Sequence, residues 1–335
     1  MADTKPTTVL VTGGAGYIGS HSAKALRRAG HRVVIYDNLS AGHREAALGA
    51  PLIEGDIGDV AAVRTAIRES GATAVMHFAA WLSVPDSVRD PAGYYRNNVT
   101  GTLGTLEAMA AEGCKHFIFS STCAVYGEPV EVPLRETHPN APINAYGQTK
   151  LAIEHALPHF EVAYGIRSIR LRYFNAAGAD PEGELGEDHS PEIHVIPKAI
   201  EAAMTGTPIN IFGEDYPTPD GTCLRDYIHV VDLADAHVRA LARLEAGGAS
   251  ASYNVGTEHP SSVRDVIAAV ETVTGRTLNV QSAPRRPGDP AALYASAVRI
   301  REELGWVPQR PSLRTIVEDA WKWHSTHPNG YASGR

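Results

Sequence analysis

The chain has 335 residues, 43% of them hydrophobic and 20% charged, which is enough apolar side chain for a full core and enough length for two domains, and excludes a disordered polypeptide. A formal net charge of -8, a sequence pI of about 6.0 and no dense Lys/Arg run give no electrostatic reason to expect nucleic acid or an anionic membrane as partner. The polar N-terminus lacks the order of a signal peptide, no apolar run is long enough to span a bilayer, and three scattered cysteines (Cys114, Cys123, Cys223) argue against a disulfide framework or a structural zinc site. The expectation is a cytoplasmic protein with no metal ligands.

In chain order, short β-branched runs alternate with longer helical patterns. Strands are predicted at 8–11, 32–36, 74–78, 116–119 and 168–172, and helices at 17–29, 59–69, 98–111, 146–164 and 263–272. That alternation builds a parallel sheet with helices on both faces, an α/β, doubly wound Rossmann architecture. Pro158 falls inside the helix that begins at Tyr146 and predicts a kink or break there. Beyond Asn175 the texture becomes rich in Gly, Asp, Glu and Pro. The boundary is therefore set at 1–175 for the first domain and 176–335 for a second, smaller α/β domain, with residues about 226–257 apolar enough to return to the main sheet.

Directly after the first strand comes Gly13-Gly14-Ala15-Gly16-Tyr17-Ile18-Gly19, opening a helix. Glycines at such a turn let backbone approach a pyrophosphate whose charge sits on the helix N-terminus. The second strand ends in Tyr36-Asp37-Asn38, roughly 20 residues on, where a carboxylate can accept the adenosine ribose hydroxyls and repel a 2'-phosphate. NAD is thus favoured over NADP. Asp56 is a candidate for the adenine amino group and Ile57 for the ring face.

Ser120-Ser121-Thr122 ends an apolar strand, and Tyr146-Gly147-Gln148-Thr149-Lys150 opens a helix. Positions i and i+4 share a helix face, so Tyr146 and Lys150 project together, and an ammonium beside a phenol stabilises the phenolate. Tyr146 is the candidate general base. Either residue alone is common on amphipathic helices; their combination with the dinucleotide motif and the hydroxyl cluster is specific.

On these residues the chain resembles the extended short-chain dehydrogenase/reductases, and within them the UDP-glucose 4-epimerase family. The resemblance includes Thr12 to His21, His77-Phe78-Ala79, Tyr94 to Val99, Leu171 to Asn175 and Arg225 to Val230, and extends to about Trp323. It implies an NAD-dependent isomerase interconverting UDP-glucose and UDP-galactose through a 4-keto sugar. The oligomeric state is left open by the sequence, with the apolar helices after Asn98 and Tyr146 suiting a helix-bundle homodimer. Thr122, Tyr146 and Lys150 would be catalytic. Gly13, Gly16, Tyr17, Ile18, Gly19, Asp37, Asn38, Asp56, Ile57, Phe78, Ala79, Asn97, Ser120 and Tyr173, with Tyr146 and Lys150, would hold NAD. Asn175, His194, Val195, Phe212, Arg225, Tyr227, Arg286, Asp289 and Leu293, with Thr122 and Tyr146, would hold the UDP-sugar, the two arginines converging on the diphosphate.

Two positions depart from the family pattern: Leu82 stands where some relatives place a lysine toward the cofactor, and Leu293 where some place a bulky tyrosine beside the sugar. UDP-N-acetylglucosamine, a pentose and a uronic acid remain open as sugars beside UDP-glucose. A 4,6-dehydratase is disfavoured, since Cys123-Ala124 after Thr122 replaces the acidic pair that chemistry uses. A non-catalytic NAD-binding sensor would have no need of Tyr146 and Lys150 together.

Overall fold

A computed structural model describes residues 6–286 and 288–331. Its chain divides into two compact units, the first comprising residues 1–127, 139–172 and 234–253, the second 128–138, 173–233 and 254–335.

The first unit is built on a seven-stranded sheet. Its strands are β1 (Thr8–Thr12), β2 (Arg32–Asp37), β3 (Leu52–Glu54), β4 (Ala74–His77), β5 (His116–Ser120), β6 (Arg167–Tyr173) and an edge strand, Ala251–Val255. Their spatial order is Ala251–Val255, β6, β5, β4, β1, β2, β3. Every pair from β3 to β6 is parallel. The order reverses between β1 and β4, the switch point at whose carboxyl ends such sheets bind ligands. Both β1 and β4 are buried along their whole length, as expected of strands covered on both faces. Leu10, Val75, Phe117 and Phe119 of the sheet pack with Val63 and Ile67 of the helix Val60–Ser70 and with Leu106 and Met109 of the helix Gly101–Glu112.

The helix Ala145–Tyr164 runs unbroken through Pro158, so of the predicted kink or break the break does not occur. Firm ends hold it: Asn144 Oδ1 accepts from Gly147 N at 2.9 Å, and Gly165, at φ 68°, donates to Glu161 O at 2.8 Å. Residues Tyr95–Thr100 form a π-helical turn leading into Gly101–Glu112, a distortion not read from the sequence.

The second unit carries its own core, where Ile196, Ile200, Ile209, Val266, Ile316 and Val317 meet from the helices Val195–Thr205, Val263–Thr274 and Leu313–Thr326 and the strand Ile209–Phe212. Its sheets are short. Tyr227–His229 pairs parallel with Asn175–Ala177, outside the central sheet, and the return of the chain to the first unit begins at Ala234.

Within the first unit lies a buried ion pair: Arg172 of β6 meets Glu154 at 2.5 Å, with the two side chains 5% and 4% exposed. Ser121 Oγ also donates to Glu154, at 2.5 Å, and Arg172 Nη1 donates to Tyr126 Oη at 3.0 Å. Glu154→Leu should cost about 3–5 kcal/mol in urea denaturation because it strands the guanidinium, whereas adding Arg172→Met should restore most of that loss.

Candidate active site

At the carboxyl end of β1 the backbone turns at Gly13, with φ +70°, and a Cβ there would lie 2.5 Å from Ala79 N. Only glycine allows that conformation and that approach together. The helix Tyr17–Arg28 then starts at Gly16, which offers no capping side chain, and its first turn contains no acid. Its leading amides are thus suited to a phosphate. Asp37, at the tip of β2, accepts from Ala15 N at 2.9 Å through one oxygen and from Leu39 N at 2.8 Å through the other. Burial raises its pKa, with these two amides opposing the rise. Each oxygen retains a lone pair for a further donor.

Asn38 Nδ2 donates to Asp56 at 2.8 Å, so these two candidates are linked. Ile57 is buried in the main core, and a Cβ on Gly101 would meet its Cδ1 at 2.7 Å. Phe78 lies against His237, with ring centroids 4.8 Å apart.

Lys150 is almost fully buried, and its ammonium donates to Ser120 O at 2.8 Å and lies 4.9 Å from the centre of the Phe119 ring. Burial lowers its pKa to about 7 against the favourable charge of Glu154. Tyr146 sits one turn earlier, half-buried. Thr122 opens the short turn Cys123–Val125, its Oγ1 accepting from Ala124 N at 3.1 Å. A Cβ on Gly147 would come within 2.6 Å of Ala124 O, so the absence of a side chain lets the start of the Tyr146 helix close on the Thr122 turn.

Two buried residues that sequence reasoning passed over complete this end of the unit. Asn98, neighbour of the predicted Asn97, accepts from Trp81 N at 2.9 Å, donates to Trp81 O at 3.0 Å and reaches Thr149 Oγ1 at 3.2 Å. It ties the loop after β4, where Leu82 is exposed, to the helix of Tyr146. His77 bridges Thr12 Oγ1 at 2.7 Å and Thr102 Oγ1 at 2.9 Å, and burial with the nearby Lys150 charge pushes its pKa down to about 3, so it is neutral. Both fall inside stretches that carry the family resemblance, His77-Phe78-Ala79 and Tyr94 to Val99, where nothing local marks their partners.

In the second unit, Asn175 Nδ2 donates to Asp226 O at 3.1 Å and Tyr227 lies beside it on the paired strand, buried, its phenol pKa driven up. Arg225 donates to Leu224 O and Pro290 O at 2.9 Å and pairs with Asp289 at 3.3 Å, while Leu293 is its register partner on the neighbouring strand. Arg286 is held otherwise, its guanidinium 3.9 Å from the centre of the Phe212 ring. His194 precedes the helix that Val195 begins. Tyr173 closes β6.

The model of the NAD dependent epimerase/dehydratase family matches residues 9–256. The chain is 47% identical over 326 residues to a UDP-glucose 4-epimerase of Lacticaseibacillus casei, covering 97% of this chain and 98% of that one. It is 51% identical over 317 residues to a UDP-glucose 4-epimerase of Azospirillum brasilense, covering 94% and 91%. The crystal structure of UDP-glucose 4-epimerase from Brucella ovis in complex with NAD superposes with a TM-score of 0.92 at 48% identity, over 94% of this chain and 97% of that one.

The lowered pKa of Lys150 has a thermodynamic signature. Between about pH 7 and the ordinary lysine range the unfolded chain binds a proton that the folded one does not, so stability rises with pH across that window. In cofactor-free protein, denaturation at pH 6.5, 8 and 9 should show this rise, and Lys150→Met should lose it.

Proposed function

The chain belongs to the NAD-dependent epimerase/dehydratase family, and from that membership we propose that it is a UDP-glucose 4-epimerase, an isomerase interconverting UDP-glucose and UDP-galactose. The carrying observation is Tyr146 and Lys150 one turn apart at the start of a helix packed on the Thr122 turn. The glycine turn, the uncapped helix start and Asp37 fit a dinucleotide with a free ribose 2'-hydroxyl, which favours NAD. Bound NAD supplies a reversible hydride acceptor for the sugar C4, and no external oxidant or reductant is consumed.

The chain's own residues move the proton. Tyr146 Oη takes it from the 4-hydroxyl as C4 becomes a ketone and returns it once the opposite face has been reduced. Thr122 Oγ1 orients the 4-oxygen. Lys150 holds the nicotinamide ribose and, in its charged form, stabilises the Tyr146 phenolate. Asn97, Ser120 and Tyr173 line the cofactor. Asn175, His194, Val195, Phe212, Tyr227 and the two arginines hold the uridine diphosphate. That anchor stays fixed while the sugar turns over.

The protein is read as a cytoplasmic homodimer. No helix among the described residues is long and apolar enough to cross a membrane. Val162 and Tyr164, at the exposed end of the Ala145–Tyr164 helix, supply apolar surface for a second subunit.

Tyr146→Phe should retain its fold and bound NAD while turnover of UDP-galactose to UDP-glucose falls by about 10²–10⁴-fold. A Phe variant with near-normal turnover would remove Tyr146 from this role. Leu293 leaves room near the sugar C2 that a tyrosine would fill, so UDP-N-acetylglucosamine should be a secondary substrate. Because such size differences discriminate by only about 1–3 kcal/mol, Leu293→Tyr should suppress the acetamido activity selectively in a product assay on both sugars. Parallel loss of both would refute the gate.

A further inference from the structure

In the second unit, residues 187–194 bring together two carboxylates and two imidazoles spaced Glu-x-His-x-x-Glu-x-His. His194 Nδ1 lies 2.7 Å from Glu187 Oε1 and 3.0 Å from Glu192 Oε1. His189 Nδ1 lies 3.2 Å from the same Glu187 oxygen and 3.8 Å from Glu192 Oε2. Glu187 is 3% exposed, and its Oε1 accepts no hydrogen bond of proper direction although two ring nitrogens face it.

We propose that Glu187, His189, Glu192 and His194 form a site for one tetrahedral divalent cation of the zinc class. Ligands about 2.0–2.1 Å from a tetrahedral zinc lie about 3.3 Å from one another, and one ligand atom from each of the four residues lies within 4.8 Å of the others, close enough to converge on a single ion. One dication neutralises the two carboxylates while both imidazoles stay neutral, as ligands must be. Two nitrogens with two oxygens exclude the all-oxygen preference of calcium and magnesium. Glu192 Oε1 also accepts from Ile193 N and His194 N at 2.7 Å, which orients the ligand loop.

The cation is structural. It pins residues 187–194 at the start of the helix Val195–Thr205 and is independent of the epimerase reading, though it would fix the ring of His194, a proposed nucleotide contact. The test uses full-length untagged protein, stripped with EDTA, re-equilibrated with zinc and desalted. Wild type should retain about one zinc per chain, and His189→Ala at least about tenfold less. Cobalt substitution of the wild type should give the intense visible absorption of a tetrahedral ion, a readout that needs no variant to fold. Wild type holding less than about a tenth of an equivalent, His189→Ala binding like wild type, or a weak octahedral cobalt spectrum would each overturn the site.

Discussion

The site depends on how one helix is docked. Tyr146, Lys150 and Glu154 stand at successive i+4 positions of Ala145–Tyr164 and so share a face. Lys150 is tied to the carbonyl that ends β5, and Glu154 to the guanidinium of β6 and the hydroxyl of Ser121. Two buried charges with few alternative partners fix the rotation and depth of the helix, leaving Tyr146 where the remaining member of the row must point. Misplacing either would leave a charge without its partner in a low-dielectric interior, a larger penalty than most local packing errors.

The same burial sets the chemistry of Lys150. An ammonium taken out of water has its pKa lowered to about 7, so its charge responds to what binds beside it. Neutral His77 on the adjacent strand carries no competing charge, and Asn98 locks the neighbouring loop to the same helix. The functional groups are therefore held by a polar lattice inside a largely apolar sheet-and-helix frame, with its hydrogen bonds made internally.

What could be read from sequence was what is local. The glycine turn after β1, Asp37 at the tip of β2 and the Tyr146–Lys150 spacing each express their geometry within one element or one turn, and the β/α alternation gave the first unit's architecture. What could not be read depends on distant partners. Nothing near Glu154 in the chain announces Arg172, and Asn98 resembles any helix polar residue until its bonds to Trp81 and Thr149 are seen. The two- and three-residue strands of the second unit lack the length over which periodicity is detectable, which is why Tyr227–His229 seemed to belong to the central sheet.

The central claim is that this arrangement runs a closed cycle in which C4 is oxidised and reduced without exchange. UDP-glucose deuterated at C4, incubated with the purified protein and analysed by NMR and mass spectrometry, tests it directly. UDP-galactose retaining the deuterium at C4, with no net change in the redox state of added NAD, is the predicted result. Loss of the label to solvent, or a keto product accumulating with reduced cofactor, would contradict it.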